Sequence, residues 1–557
     1  MPTDSTPGVL ITGAGPSGLA LALTLLKNGI PVRIIDKQHD FPLEQRGSVL
    51  QPRTLEVFHY LGVLPDIHAV NRPLLPERQY KLPGGVEPFK TSHLLDPVDP
   101  TPDVPYPNPI ILGQGYTQAI LRSHLEKYGC VVETDTELGE FKQTSEDIVA
   151  TLVKRQDGKE VAETAHFRWL VGADGGRSNV RKQLGLSFEG QALKEHTIIG
   201  ELDLEGLDAD HWHRWNDWQN PTIVTVILRP TEVKGQFFFI TGGHVDYSEL
   251  LADHEKLLKA IRDFIQRDDL IFGNIKYATE YRANARVVDK FGVGRVFVAG
   301  DAAHVHSPQG GQGLNTSVQD ALNLGWKLAL VEKGLAAPAL LSTYSEERLP
   351  VVKRMIQETL GIYKVIMDSA LNGADVNKAR GAHLKQLGIN YRWGSIVIDE
   401  RQPVDKQQVV ETLDVYGRGG GDTLRAGDRA PDAPGLVDVN QGGGPARLFD
   451  VFKPTDHTVL IFCSDASTTR PVLEALQGLP PKAVRSAVVY PQSASRSPPV
   501  AYADLVLHDG EGHAYKAYGC PTDSSTVVIV RPDGVVGGLV FGEDGVKKYF
   551  KSIFSSA

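Results

Sequence analysis

The chain is most tightly constrained near its start. Val9-Leu10-Ile11-Thr12 is a short apolar, β-branched run, and Gly13-Ala14-Gly15-Pro16-Ser17-Gly18 follows it directly. Residues 19–26 then carry apolar side chains at helical spacing, Asn28-Gly29 ends that helix, and Val32-Arg33-Ile34-Ile35 closes at Asp36-Lys37 as a second strand. Strand, GxGxxG, helix, strand and acid in this order predict a βαβ dinucleotide-binding unit. Each residue has a task in such a unit. Gly13 permits the tight turn, Gly15 lets backbone approach a pyrophosphate, and Gly18 lets helix pack on strand. Asp36 can accept hydrogen bonds from a ribose. A plain structural turn uses the same glycines but lacks the whole surrounding pattern. FAD and NAD both bind this unit, and the fingerprint alone does not choose between them.

A second strand–turn–helix pattern spans 169–181, WLVGADGGRSNVR, and places Asp174 at a strand's carboxyl end. Read alone it is an Asp-Gly turn with Ser178 capping a helix. A third spans 295–330. Arg295-Val296-Phe297-Val298-Ala299 predicts a buried strand ended by Gly300, with Asp301 just beyond it. Open α/β sheets bind ligands at that position. Residues 304–312 are expected to be irregular, because Pro308 breaks helices and Gly310-Gly311 loosens the backbone. From Gly313 the spacing turns helical, through Leu314, Val318, Ala321, Leu322 and Leu328. A helix start offers free N–H groups and a partial positive charge, which suit an anionic or electron-rich group.

Between these patterns the texture varies. Arg46 and Arg53 bracket a turn, 54–61 predicts a helix stopped by Gly62, and Gln114 opens another helix over 116–128. Residues 81–107 are rich in proline and aspartate and are expected as an irregular insertion on the substrate side. Residues 197–204, 222–228 and 236–241 predict a separate, mostly antiparallel sheet acting as a lid, with Trp212, Trp215 and Trp218 clustered beside it. A long amphipathic helix covers 345–367, and Arg418-Gly419-Gly420-Gly421-Asp422 reads as a linker. Strands at 458–463, 485–490 and 526–530 mark a small α/β domain from about residue 425 onward.

The 557 residues allow two or three cores. A net charge of −10 argues against a nucleic-acid partner. No apolar run reaches membrane-span length, so no membrane span is expected. Cys130, Cys463 and Cys520 are far apart, which fits a reducing, cytoplasmic setting and gives no metal cluster.

Taken together, Gly13–Gly18 with Asp36, Asp174-Gly175 with Arg177, and Gly300-Asp301 with the stretch 308–315 (PQGGQGLN) resemble the FAD-dependent aromatic hydroxylases. These are single-component flavoprotein monooxygenases related to 4-hydroxybenzoate and phenol hydroxylase. The resemblance spans nearly the full chain. It implies an α/β fold with a Rossmann-like FAD-binding domain, an inserted β-rich substrate domain and a C-terminal thioredoxin-like domain. The expected bounds are 1–80, 108–190 and 282–367 for the FAD-binding domain, and 81–107 with 191–281 for the substrate domain. A linker at 368–424 and a last domain at 425–557 complete the division.

The resemblance also implies roles. Gly13, Gly15, Ser17 and Gly18 serve the FAD pyrophosphate, and Asp36 and Lys37 the adenosine ribose. Arg46 and Gln114 contact FAD, Asp174 serves both FAD and NAD(P)H, and Asp301 holds the ribityl chain. Pro308 lies at the reactive face of the flavin, with Gly311, Gly313, Leu314 and Asn315 flanking the ring. NADPH or NADH acts as a transient co-substrate, O2 as oxidant and a small aromatic molecule as substrate, through a flavin hydroperoxide. A homodimer is the implied assembly. The alternatives are an oxidase, epoxidase or halogenase on the same scaffold, or a non-catalytic flavin-holding assembly protein. Two departures stand out. Ser48 and Phe238 fall where the phenol hydroxylase branch has an aspartate and a phenol-ionising tyrosine. Tyr281, Arg286 and His213 are therefore candidates on the substrate side. Cys463 is followed by Ser464-Asp465-Ala466, so the last domain has no dithiol, and a structural or dimerising role is expected.

Overall fold

The computed structural model describes residues 8–372, 381–403, 414–417, 423–439, 447–494 and 498–555. The Gly-rich stretch 418–422 expected as a linker lies outside them.

The fingerprint folds as its pattern predicts. Val9–Thr12 pairs in parallel with Val32–Ile35 on one side and with Trp169–Gly172 on the other. Trp169–Gly172 in turn pairs in parallel with Val296–Val298, and Gly292–Val293 closes a five-stranded sheet. All three motif strands are therefore neighbours and end on the same edge. Parallel strands need both faces covered, which explains their unbroken apolar runs. Helix Pro16–Lys27 packs on this sheet, and helix Gly313–Glu332 packs on that helix.

The second sheet has eight strands, in the order His304–Val305, Ile271–Val287, Glu189–Glu205, Gln236–Gly243, Ile223–Pro230, Trp212–Asn216, Glu77–Tyr80 and Pro88–Ser92. Helix His254–Ile265 covers one face, burying Leu257, Ile261 and Ile265 against Leu202, Trp215, Leu228 and Phe239. Asp253 caps this helix by accepting the N–H groups of Glu255 and Lys256.

Three expectations change here. The expected boundary at residue 81 falls inside the second sheet, because Glu77–Tyr80 pairs with Trp212–Asn216. The stretch 304–312 is not wholly irregular. His304–Val305 forms a two-residue strand on Arg286–Val287, hooking the third motif onto the edge of the substrate sheet before Pro308 ends the pairing. The expected linker contains packed structure as well. Leu384, Tyr391 and Trp393 are buried, and Ile398–Asp399 adds a parallel strand to Val536–Val540. Its aromatic residues need a core, and the seam between the two larger bodies supplies one.

The last sheet has seven strands, in the order Ile398–Asp399, Val536–Val540, Thr526–Val530, His457–Phe462, Val484–Tyr490, Leu505–Asp509 and Leu436–Asp438. Its central strands are buried along their whole length. Among the described residues no helix is long and apolar enough to cross a membrane.

Candidate active site

The first loop shows why it needs glycine. Gly13 has φ +98°, and a Cβ there would overlap the Ala173 carbonyl beside Asp174. A Cβ on Gly18 would overlap the Gly13 carbonyl. Gly15 differs, since a Cβ there would meet nothing within 4 Å. The protein itself leaves that space open, at the N-terminus of helix Pro16–Lys27, where a pyrophosphate fits. Asp36 Oδ2 accepts the Ala14 N–H at 2.7 Å and Oδ1 accepts the Gln38 N–H at 2.9 Å. Each oxygen keeps a lone pair for a ribose hydroxyl. Lys37 is exposed beside it.

The other two motifs close on this loop. Arg181 donates to Ala302 O at 3.0 Å and to Gly176 O at 2.8 Å, tying the second motif to the third. Asp174 Oδ2 accepts the N–H groups of Asn179 and Val180 at 2.7 and 3.2 Å, while its Oδ1 is buried with no partner. A buried carboxylate oxygen without a donor is costly and marks a place for one. Gly300–Ala302 is a short 3-10 turn whose Gly300 faces Ser17, and Asp301 is exposed to the cleft. Desolvation by the surrounding protein raises its carboxyl above the usual carboxylate range, opposed by His304.

Beyond it, Pro308 is exposed and Gly311 sits at φ +59° against Val49. Asn315, fully buried, pins this turn. Its Nδ2 donates to Gly311 O at 2.7 Å and to Val49 O at 2.8 Å, and its Oδ1 accepts the Gln51 N–H at 2.7 Å. Gly313 packs on His306 and Leu314 on Gly47, so the helix start lies against segment 47–51. Behind the turn lies a buried chain of charges. His304 Nε2 meets Asp320 Oδ2 at 2.7 Å, Asp320 Oδ1 accepts from Arg348 Nε at 2.7 Å, and Arg348 Nη1 donates to Tyr391 Oη at 2.9 Å. The His304, Asp320 and Arg348 side chains are fully buried. The Gly300 N–H also points at Asp320, at 3.3 Å. Sequence reasoning missed these buried pairs, though an aspartate and a lysine inside an apolar helix, Asp320 and Lys327, are a pattern that could have announced them.

The substrate sheet turns one face to this cleft. Glu201 pairs with Phe238 and Tyr277, Phe238 with Arg229, and Ile240 with Ile199 and Ile227. Residues opposite one another share a face, so Ile199, Ile227, Ile240, Phe238, Glu201, Arg229, Tyr277 and Tyr281 line one side. Glu201 and Arg229 on that side contact segment 45 of the FAD-binding part, which fixes it as the cleft side. Tyr281 Oη donates to His306 O at 3.4 Å, and burial together with Asp301 raises its hydroxyl above the usual tyrosine range. Arg286 Nη1 donates to Phe188 O at 3.3 Å. Phe238 is buried on the cleft face and Ser48 is buried in the 45–51 segment.

His213 does not belong to this group. It pairs with Leu228 on the opposite face, is fully buried, and uses both ring nitrogens, on Tyr80 Oη at 2.9 Å and Asp208 O at 2.9 Å. Burial lowers its pKa to about 4. Strand alternation puts it in the core with Trp215, a position that its polar sequence surroundings concealed.

Gln45 is the residue that sequence reasoning missed. It is buried, and its N–H, Oε1 and Nε2 engage Glu201, Arg229 and Glu232 at 2.9, 2.8 and 2.5 Å. Those partners lie more than 150 residues away along the chain, so no local pattern announces the contact. Arg46 beside it is exposed at φ +31°, and Gln114 Oε1 accepts the Gly47 N–H at 3.3 Å.

This combination of three strand-end loops around an open anion-accepting groove, facing an apolar sheet, defines a flavin-binding oxidoreductase. Residues 6–359 match the family described as an FAD binding domain, and residues 492–557 match the phenol hydroxylase C-terminal dimerisation domain. A flavin-dependent monooxygenase of Mycobacteroides abscessus is 37% identical over 82% of this chain and 89% of its own. Pentachlorophenol 4-monooxygenase of Sphingobium chlorophenolicum is 31% identical, over 81% and 79%. A crystal structure of aklavinone-11 hydroxylase with FAD and aklavinone superposes with a TM-score of 0.78 at 23% identity, covering 99% of this chain and 100% of that one. The chain belongs to the FAD-binding flavoprotein monooxygenases; FAD is its cofactor and its activity is that of a flavin-dependent aromatic hydroxylase.

Proposed function

We propose that the protein hydroxylates a phenolic or other electron-rich aromatic ring with NAD(P)H and O2. The observation that carries this reading is the cleft face of the substrate sheet. Ile199, Ile227 and Ile240 are half-buried there beside Phe238, and the same sheet's edge holds the Pro308 turn through the Val305–Arg286 pairing. An apolar wall joined to the flavin loop suits a flat aromatic ring. The relatives that act on pentachlorophenol and on aklavinone, by their names, support the same substrate class.

Bound FAD supplies hydride acceptance and O2 activation. The chain's part is placement. Gly13, Gly15 and Gly18 with the N-terminus of Pro16–Lys27 hold the pyrophosphate, Asp36 and Lys37 the ribose, and Asp301 the ribityl hydroxyls. Asp174 is placed by its motif to serve FAD and the passing nicotinamide. Arg46, Gln114 and the stretch from Gly311 to Asn315 surround the ring, and the free N–H groups of that helix start favour negative charge there. Pro308 would border the reacting face of the bound flavin. Tyr281 lies close enough to the turn to orient a substrate hydroxyl, and Arg286 supports the edge strand. The match to a dimerisation domain supports a homodimer, which sedimentation analysis would check.

The test is a panel of phenols and hydroxybenzoates, screened for NAD(P)H oxidation that rises with substrate and consumes O2 stoichiometrically. Oxidation at one fixed rate, with all O2 recovered as hydrogen peroxide across the panel, would point to an oxidase.

A further inference from the structure

The segments that carry Arg46 and Gln114 are strapped together by the protein itself. The Gln114 N–H donates to Gln45 O at 3.0 Å, the Gly115 N–H to Glu44 O at 2.9 Å, and the Gly47 N–H to Gln114 Oε1 at 3.3 Å. The substrate sheet grips this strap from behind. Glu201 accepts the Gln45 N–H at 2.9 Å. Glu232 accepts both Gln45 Nε2, at 2.5 Å, and the Gly113 N–H, at 2.9 Å. Arg229 Nη2 donates to Gln45 Oε1 at 2.8 Å. Gln45 thus uses every polar atom it has on this joint.

Two further features give the joint a direction. Arg46 adopts φ +31°, a left-handed conformation that is unfavourable for a non-glycine residue and persists only where surroundings enforce it. At the other end, the Arg229 guanidinium lies 5.7 Å from the Trp212 ring centroid and 5.1 Å from that of Phe238. Both rings belong to the sheet's cleft face. A ring laid on that face would compete with the guanidinium for their π surfaces.

We propose that Gln45 and Glu232 are positioning residues that pass occupation of the cleft face, felt at Trp212, Phe238 and Arg229, to the placement of Arg46 and Gln114 against the flavin. The inference rests on the function proposed above, in which Arg46 and Gln114 face FAD and the sheet face takes the substrate. Gln45 touches neither ligand. Its amide is the only group that holds Arg229 and Glu232 at once among the described hydrogen bonds. Glu232 fixes both halves of the strap through one carboxylate.

The test uses the holoenzyme with Gln45→Leu and Glu232→Gln. The first readout is the visible circular dichroism of bound FAD without substrate, which reports the ring's surroundings. The second is the rate of flavin reduction by NAD(P)H, with and without the panel phenol that accelerates the wild type most. Both variants should alter the dichroism, and should lower the acceleration by about tenfold, a coupling of ordinary size. FAD affinity should stay within about threefold of the wild type, because no group that holds the pyrophosphate or ribityl chain is changed. Wild-type dichroism and wild-type acceleration in both variants would overturn the inference. If Gln45→Leu does not fold, Glu232→Gln, which preserves shape, decides alone. Arg46→Ala and Gln114→Ala separate the two claims. If these leave dichroism and FAD affinity untouched, the flavin contacts themselves are misread. If they change them while the Gln45 and Glu232 variants do not, only the relay fails.

Discussion

The FAD-binding part joins its two neighbours through seams of opposite character. Toward the C-terminal sheet the seam is buried and charge-matched. Lys327 meets Glu347 at 2.7 Å, Arg531 meets Glu347 at 2.6 Å and Asp533 at 2.5 Å, and Asn323 and Trp326 add hydrogen bonds to Asp533. These charged side chains are at most 5% exposed. Toward the substrate sheet the seam combines the Val305–Arg286 strand pairing with a neutral amide, Gln45, set among Glu201, Arg229 and Glu232 beside an open cleft. The first seam behaves as a fixed joint, since displacing any member strands a buried charge. The second differs in that its hub, Gln45, carries no charge and faces a cleft rather than a closed core. A hydroxylase has reason to keep its assembly domain fixed and its substrate wall responsive.

The largest effect is expected at the fixed seam. Glu347→Ala strands Lys327, leaves Arg531 only Asp533 as a carboxylate partner, and should cost about 3–5 kcal/mol, read as a lowered denaturation midpoint. A midpoint near that of the wild type would mean the seam is wetter than described. Asp301→Ala comes next. Losing a charge-assisted contact of about 1.5–3 kcal/mol should weaken FAD binding roughly ten- to a hundredfold while leaving the apoprotein's melting temperature nearly unchanged. Unaltered FAD content after dialysis would remove Asp301 from the site.

His457 tests the fixed seam through pH. Its ring is fully buried, edge-on to Trp326 at 5.3 Å, and burial lowers its pKa to about 3. The unfolded chain takes up a proton near the ordinary histidine value while the folded chain does not. Stability is therefore complete above that value and falls as pH drops through the window down to about 3. Between pH 7 and pH 5 this amounts to about 2 kcal/mol, and His457→Phe should abolish that part of the acid sensitivity. Identical melting curves against pH for both proteins would contradict the burial. The smallest effect belongs to Cys463. It is buried, its thiol is pushed up to about 12 by burial with Asp465 adding to the effect, and it pairs with no other sulfur among the described residues. Cys463→Ser should leave NAD(P)H oxidation unchanged; loss of that activity would assign it a redox role.

Much of the site was legible because its parts are local. A strand, its carboxyl-end loop and the following helix are contiguous in sequence, so glycine spacing and apolar runs display each motif. Their convergence follows from the parallel pairing of Val9–Thr12, Trp169–Gly172 and Val296–Val298. What stayed hidden depends on register. His213 reads as a substrate-side candidate, yet alternation turns it into the core. Gln45 looks like one more polar residue before Arg46, and its three partners, two on strands and Glu232 in the turn after Ile223–Pro230, are remote in sequence. Glu77–Tyr80 and Ile398–Asp399 are too short to be noticed until a neighbouring sheet edge takes them up.

The central claim is that this chain holds FAD so that one atom of O2 passes to an aromatic ring on the sheet face. Turnover under ¹⁸O2 with the best substrate of the panel tests it most directly. The expected product carries one ¹⁸O atom per NAD(P)H consumed. Product labelled only from water, or NAD(P)H consumed with all of the label in hydrogen peroxide, would contradict it.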